Sequence, residues 1–307
     1  MAGLVLLAAI LAGCAATQKH AIAQTGIRPA MDASQAELLD AYNRQADAIH
    51  TVNASVLMSP TAGLAYSGVI HQYHQVSGFV LAARPEMIRV IGQAPVVGTN
   101  IFDMVSDGQM FRIFIPSKNQ FLVGPTRFER TTKNPIENLR PQHLLDALFW
   151  TAIGREQPTL LEQVDIPPSR YYVLTVLRGS SPSFDIARKI WFDRSDLRVS
   201  RLQIYGPEGR LDSDVSYADW QDAAPADAPA NAENTTAPNT AGERPGTSPI
   251  TFPRTIRVTR PQQDYRLVLT ITKLAVNAEI PADGFKLPQP AGTELVNVGT
   301  AQQEPQP

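Results

Sequence analysis

The 307-residue chain has a single cysteine, Cys14, and almost no net charge. One cysteine excludes a disulfide within the chain and a zinc site built from several cysteines. The 27 Lys and Arg residues against 29 Asp and Glu residues leave a net charge of −2, and no basic cluster occurs. Because phosphate binding needs clustered Lys and Arg side chains, the composition argues against a nucleic-acid-binding protein.

The sequence also lacks the short motifs of common enzymes. It contains no G-x-S-x-G turn, no phosphate-binding loop and no dinucleotide fingerprint. Only two of the five histidines, His71 and His74, are close together, and on a strand positions i and i+3 face opposite ways. Asp212 and Asp214 flank a predicted hairpin and are interpreted as a solvated pair. We therefore expect a binding protein rather than an enzyme, without a metal or a cofactor.

Long apolar runs are absent after the first residues. Residues 1–13, MAGLVLLAAILAG, are shorter than the roughly 20 residues of a membrane span and are typical of a secretion signal peptide. The segment Leu11-Ala12-Gly13-Cys14 ends this run and resembles a bacterial lipobox, which predicts lipid attachment at Cys14. The alternative is a free buried thiol. Acyl chains on Cys14 would hold the protein on a membrane, since each buried methylene contributes about 0.8 kcal/mol.

The residues after the cysteine predict the membrane in which the protein is anchored and the organisation of its domain. In bacterial lipoproteins an Asp at this place favours the inner membrane, so Ala15 and Ala16 predict the outer membrane. We expect a flexible tether over 14–32, one folded domain over 33–290 and a polar tail over 291–307. Within the domain, residues 221–250 are rich in Ala, Pro, Asn and Thr without an aromatic residue, which predicts a disordered insert.

Two helices are predicted. A capping box at Ser34-Gln35-Ala36-Glu37 begins the first. Its apolar face consists of Leu38, Tyr42, Ala46 and Ile49. The second begins at Pro141 and ends at Gly154. Its apolar face consists of Leu144, Leu145, Leu148, Phe149 and Ala152.

The remaining sequence predicts about 11 short strands separated by turn signals. Such close spacing predicts antiparallel neighbours, because parallel pairs need longer crossovers. Runs such as 101–105 and 110–115 are apolar on both faces, so both faces of the sheet must be covered. A sheet curled on itself, with two helices across its concave side, would leave an apolar cavity. The alternative is that large side chains fill the concave side.

Three segments resemble one known superfamily. They are Gly78-Phe79-Val80-Leu81-Ala82-Ala83-Arg84-Pro85, then Ser106-Asp107-Gly108-Gln109 with Pro116 beyond it, and Ile280-Pro281-Ala282-Asp283-Gly284-Phe285-Lys286-Leu287-Pro288. They resemble the strand ending in Arg-Pro, the Ser-Asp-Gly turn and the closing Phe-x-x-Pro strand of the periplasmic lipoprotein carrier LolA and the outer-membrane receptor LolB. The resemblance extends over about residues 34–295.

The resemblance implies a mainly β fold: an unclosed antiparallel β-barrel with a helical lid over an apolar cavity for acyl chains. It implies that Arg84 hydrogen-bonds lid backbone and gates the cavity; the alternative is an exposed residue before a proline. It places Val96 and Val97 in a cargo-transfer loop; the alternative is that they lie under the lid. The candidate cavity-lining residues are Phe79, Leu81, Phe102, Met104, Met110, Phe114, Leu148 and Phe149.

We therefore expect an outer-membrane lipoprotein, facing the periplasm, that binds acyl chains or lipidated proteins in lipoprotein sorting or lipid transfer. Its expected partners are acyl chains of lipoproteins or other lipids, the membrane through lipidated Cys14, and a periplasmic carrier protein. The alternative is a structural or assembly lipoprotein of the envelope, which would bind protein partners without lipid cargo.

Overall fold

The computed structural model describes residues 29–63, 71–72, 74–95, 97–126, 140–223 and 250–298. Cys14, Val96 and most of the predicted tether and insert lie outside the described residues, as does most of the predicted strand over 65–73. The described part contains two α-helices, α1 (Gln35–Ala48) and α2 (Pro141–Leu148). No helix in this part is long and apolar enough to cross a membrane.

The strands of the described part form one sheet. Their bounds are β1 (Thr51–Ala62), β2 (His71–Gln72), β3 (Val76–Ala83), β4 (Met87–Gln93), β5 (Asn100–Ser106), β6 (Met110–Ile115), β7 (Gln120–Pro125), β8 (Thr159–Ile166), β9 (Ser169–Ser180), β10 (Ser183–Asp193), β11 (Val199–Tyr205), β12 (Leu211–Asp222), β13 (Thr251–Arg260), β14 (Tyr265–Val276) and β15 (Glu294–Asn297).

The sheet consists of two meanders joined at β1. Its order is β15-β7-β6-β5-β4-β3-β1-β14-β13-β12-β11-β10-β9-β8, with β2 added beside β1. All neighbours are antiparallel except β15 and β7, which are parallel. The ends of the order, β15 and β8, do not pair, so the sheet is not closed. The predicted mainly β, unclosed antiparallel architecture with two helices is confirmed, although β8 and β15 are additional strands.

Local sequence signals explain where the helices begin and end. The capping box is present: Ser34 Oγ accepts from the Glu37 amide at 3.3 Å, and the Ser34 amide donates to Glu37 Oε2 at 2.7 Å. These bonds lower the pKa of Glu37. Helix α2 begins at Pro141 as predicted, but it ends at Leu148 instead of Gly154, because Phe149 has an extended backbone.

The face of the sheet that packs against α1 and α2 is called the inner face. Strand burial alternates as expected for one packed face. In β3, Val80 and Ala82 are buried on the inner face, and both belong to one core with Leu38 and Tyr42 of α1. The core therefore lies between the sheet and the two helices.

The opposite, outer face of β1 and β3–β7 is crossed by the C-terminal segment, residues 277–298. Thr51 Oγ1 donates to Ala278 O at 2.7 Å, and Arg89 Nη1 donates to Gly284 O at 3.0 Å. The predicted closing strand over 280–288 is wrong, since this stretch contains a short 3-10 turn, Ala282–Phe285. Within the segment predicted as a polar tail, β15 pairs with β7. This cover explains why β5 and β6 are apolar on both faces.

Candidate functional site

The lid consists of α1 with Ile49 and of residues 140–153, which include α2. An aromatic cluster fixes it to the inner face. Trp150 stacks on Tyr42 with ring centroids 5.2 Å apart, and its Nε1 donates to Tyr217 Oη at 2.9 Å. Tyr217 Oη in turn donates to Ala147 O at 3.0 Å, and burial raises the pKa of Tyr217. Both parts of the lid therefore meet at Trp150.

Arg84, at the turn between β3 and β4, holds one end of the lid. Its Nε donates to Ile49 O at 2.9 Å, and its Nη2 donates to Ala46 O at 2.7 Å and to Trp150 O at 2.8 Å. The guanidinium also lies 5.1 Å from the ring centroid of Phe149. A planar group with five donors suits several carbonyls at once. The contact with lid backbone is thus present, and gating by Arg84 stays a prediction.

Arg188 and Asn43 hold the other end of the lid. Arg188 Nη1 donates to Thr151 O at 2.6 Å, and it lies 3.4 Å from Tyr42 Oη. Asn43 Nδ2 donates to Ile153 O at 3.0 Å, and its Oδ1 accepts from the Ile153 amide at 2.8 Å. The lid therefore makes specific polar contacts at both ends.

In the described part of the chain, Tyr42 and Trp150 line two cavities beside the lid. The larger cavity is about 240 Å³ and lies against β9–β11. The smaller cavity is about 130 Å³ and extends towards Phe192 and Trp220. Next to Arg84 the space is only about 10 Å³. Typical ligand pockets hold roughly 300–1,000 Å³, so each cavity is smaller than such a pocket.

The predicted cavity-lining residues divide between the two faces of the sheet. Phe102 and Met104 lie on the inner face, and the ring of Phe102 lies over Gly92, where an added Cβ would be 2.3 Å from it. Leu148 and Phe149 lie buried in the lid. The remaining four alternate with inner-face residues and therefore lie on the outer face, so their predicted place in the cavity is wrong. They are Phe79, Leu81, Met110 and Phe114.

The predicted cargo-transfer loop forms a tight turn between β4 and β5. The Gly98 amide donates to Ala94 O at 3.1 Å, and Gly98 has a φ of +66°, a conformation that glycine adopts without strain. Val97 is 70% exposed, so it does not lie under the lid. Val96 lies outside the described residues, and the transfer role of both stays a prediction.

Two titratable groups of α2 have shifted pKa values. Loss of hydration raises the pKa of Asp146 to about 6, against the opposing effect of Arg260. Burial, together with Arg260 and Arg140, holds the pKa of His143 well below its usual range, and His143 Nδ1 lies 2.6 Å from Tyr265 Oη. Among residues 29–298, within the parts described, no group of three His, Cys, Asp or Glu residues could hold a metal ion.

No protein-family model and no curated protein matches the chain. A solved DUF1329 family protein from Desulfovibrio piger has 13% identity and a TM-score of 0.49, over 81% of this chain and 94% of that one. A LolA superfamily protein from Nitrosomonas europaea has 15% identity and a TM-score of 0.45, over 81% and 97%. An outer membrane lipoprotein-sorting protein domain from Vibrio parahaemolyticus has 10% identity and a TM-score of 0.47, over 81% and 95%.

The chain is similar to LolA-superfamily and lipoprotein-sorting proteins. At 10–15% identity and TM-scores below 0.5, no ligand or activity is transferred from these proteins to this chain.

Sequence reasoning missed several residues that position the lid. Arg188 alternates with Ile190 and Phe192 in β10, so the period-2 pattern was a signal that its side chain faces inward. Trp150 lies within the predicted second helix, next to Phe149, but was not assigned to its apolar face. No local signal connects Asn43 with Ile153 or Trp150 with Tyr217, since these partners are 110 and 67 residues apart.

Proposed function

We propose that this protein is a lipid-anchored carrier or receptor of the bacterial envelope that binds acyl chains between its lid and the inner face of its sheet. The proposal depends on one observation: all three hydrogen bonds of the Arg84 guanidinium end on lid carbonyls. Displacement of the lid would break these bonds together and expose an apolar surface. Arg84 would then gate the site.

In this proposal, the two separate cavities correspond to the site with its lid closed. Tyr42 and Trp150 lie between the larger and the smaller cavity. Moving this pair with the lid would join the two cavities and bring the space into the range of ligand pockets. An acyl chain would then be held by burial of apolar area, at about 25 cal/mol per Å².

The proposed location at the membrane depends on two features, the anchor at Cys14 and the exposed turn at Val97. Lipid on Cys14 would anchor the protein in the outer membrane, facing the periplasm. The exposed Val97, with Val96 beside it, would contact the acyl chains of cargo or membrane. A periplasmic carrier would deliver lipoproteins to the site. Labelled palmitate incorporated by the wild-type chain but not by Cys14→Ser would support the anchor, and equal incorporation would contradict it.

The binding test uses the full chain carrying Cys14→Ser. It is incubated with bacterial lipid extract, examined by native mass spectrometry for bound lipid, and titrated with an environment-sensitive hydrophobic dye. Co-purifying lipid and saturable dye binding are expected. Absence of both would remove the proposed function.

Arg84→Leu tests the gate in the same background, with Arg112→Leu as the matched control. Arg112 lies on the outer face and pairs with Asp107 at 3.8 Å. Because the apparent affinity equals the intrinsic affinity multiplied by the fraction of molecules with an open lid, loss of the Arg84 contacts is expected to tighten dye binding several-fold. Arg112→Leu is expected to leave it unchanged. An unchanged dye affinity of Arg84→Leu would remove the gating role.

The packed inner face favours a second candidate, a structural or assembly lipoprotein that binds protein partners. Tyr42, Phe149 and Trp150 are buried and fill much of the space under the lid. The edge strand β8 exposes Leu160 and Ile166 by 57% and 52%, which offers a surface for another protein. Failure of both lipid recovery and dye binding would favour this candidate.

A further inference from the structure

The larger cavity contains two inward-facing arginines beside apolar side chains. Arg178 of β9 and Arg188 of β10 line it together with Phe149, Leu202 and Ile204. Arg188 pairs across the sheet with Val176, which is two residues before Arg178, and a bulge in β10 between Ile186 and Arg188 separates the two positions, so the arginines lie near one another on adjacent strands. Such neighbours are close enough for one small group to contact both side chains.

Neither arginine has a carboxylate within ion-pair distance in the described part of the chain. In contrast, Arg89, Arg201 and Arg210 each form an ion pair there. Arg178 donates to Gly206 O, and Arg188 donates through Nη1 to Thr151 O. Each guanidinium has five N–H donors, so donors remain free in both. Asp146 also lines the cavity, which leaves its side chains with a formal charge of +1.

The cavity therefore combines a cationic end with an apolar wall. A fully apolar chain would leave the free guanidinium donors without acceptors, which disfavours its binding at this place. A carboxylate or a phosphate accepts several N–H donors from arginines in matching geometry. Phe149, Leu202 and Ile204 would contact the first carbons of a chain attached to such a group.

We propose that the larger cavity binds the anionic headgroup of a single-chain amphiphile, with Arg178 and Arg188 as headgroup ligands and the chain under the lid. The inference rests on the proposed acyl-chain binding and adds the chemical class of the ligand. Because Arg188 also contacts Thr151 and Tyr42 of the lid, the headgroup would engage a side chain that positions the lid. The anion would come from a fatty acid or from a lysophospholipid-type phosphate.

The test is isothermal titration of the full Cys14→Ser chain with three ligands of equal chain length, each below its micelle concentration. They are dodecanoate, dodecyl phosphate and the neutral monododecanoylglycerol. At least one anionic ligand is expected to bind about tenfold tighter than the neutral one, since hydrogen bonds to charged groups are strong. Binding of dodecanoate alone would indicate a carboxylate ligand, and binding of dodecyl phosphate alone would indicate a phosphate.

Arg178→Gln is expected to weaken binding of the anionic ligand about tenfold and to leave the neutral ligand unchanged. Arg201→Gln on the outer face is the matched control and should change neither. Arg188→Lys, which keeps a cation, should weaken anion binding less than Arg178→Gln, and thermal melts check that every variant is folded. Equal affinities for the three ligands, unaffected by Arg178→Gln, would overturn this inference and leave acyl-chain binding intact. Binding of none of them would overturn both.

Discussion

The two faces of the β3–β4 hairpin are covered by different segments, and each cover is held by one arginine of the hairpin. On the inner side, Arg84 donates to three lid carbonyls. On the outer side, Arg89 donates to Gly284 O of the C-terminal segment at 3.0 Å. The two arginines are five residues apart in the sequence, and both fix a segment that is not part of the neighbouring strands.

The two contacts differ in what remains when the cover leaves. Arg89 forms two parallel bonds with Asp103 of β5, Nε to Oδ1 at 3.0 Å and Nη2 to Oδ2 at 2.7 Å. The Asp103 carboxylate raises the pKa of Arg89 and holds its side chain within the sheet. In the described residues Arg84 has no carboxylate partner, so the lid supplies all its hydrogen-bond acceptors. The outer cover therefore lies on an arginine that keeps its carboxylate partner without the cover, whereas the proposed function requires the lid, and with it all three bonds of Arg84, to be the cover that moves.

Trp150→Ala is expected to have the largest effect on stability. Trp150 is buried, stacks on Tyr42 and donates to Tyr217 Oη, so its removal leaves a cavity and takes away the hydrogen bond that this buried hydroxyl accepts. The free energy of unfolding should fall by about 3–5 kcal/mol in urea denaturation. Trp191→Ala on the partly exposed outer face of β10 is the control, with a loss of about 1–2 kcal/mol. Equal losses would show that the lid is not packed more tightly than the outer face.

Asp103→Ala is expected to have the next largest effect, because it leaves Arg89 partly buried without its carboxylate. Asp103 is only 6% exposed. Urea denaturation should show a loss of about 2–3 kcal/mol, and hydrogen exchange should become faster in residues 277–298. Asp214→Ala, which breaks the more exposed pair with Arg201, should cost less.

Arg84→Lys, studied by the same hydrogen-exchange experiment, tests whether the lid and the C-terminal segment are held independently. Lysine keeps the charge but cannot direct bonds to three carbonyls, so faster exchange should be confined to α1 and α2. Faster exchange of the C-terminal segment in Arg84→Lys, or of the lid in Asp103→Ala, would contradict the independent attachment of the two covers.

The general architecture could be predicted because its signals are local. Ser34 and Glu37 form the predicted capping box, and closely spaced turns predict antiparallel neighbours. The placement of Phe79 and Phe114 could not be predicted, since a strand that is apolar on both faces does not show which face meets the core. Residues 280–288 explain why Phe79 and Phe114 can lie on the outer face, because these residues form a cover over that face rather than a strand.

The site was predicted only in part for the same reason. Arg84 was found through a sequence motif, and its contacts with Ala46, Ile49 and Trp150 are visible only in the fold. Whether side chains fill the concave side depends on where Tyr42 and Trp150 pack in the folded protein. The sequence shows these residues but not their stacking, which divides the space into two small cavities.

Asp146→Asn is expected to have the smallest effect, and it tests how easily the inner cover is destabilised. Loss of hydration raises the pKa of Asp146 to about 6, above the value near 3.9 of an unfolded chain. The folded state therefore binds more protons between these values, so stability is greatest at low pH and falls as the pH rises through about 6. Asp146 lines the larger cavity, where part of its side chain stays open to solvent, so the effect is expected to be small.

Asp146→Asn removes the charge that is unfavourable at neutral pH. Thermal melts should show a Tm about 2 °C above wild type at pH 7.5, and this gain should disappear near pH 4, where both chains are uncharged at this position. Asp40→Asn on α1 is the matched control for the loss of one charge. A gain of the same size at both pH values would show that Asp146 acts through packing. The stability of the lid would then not depend on the titration of Asp146.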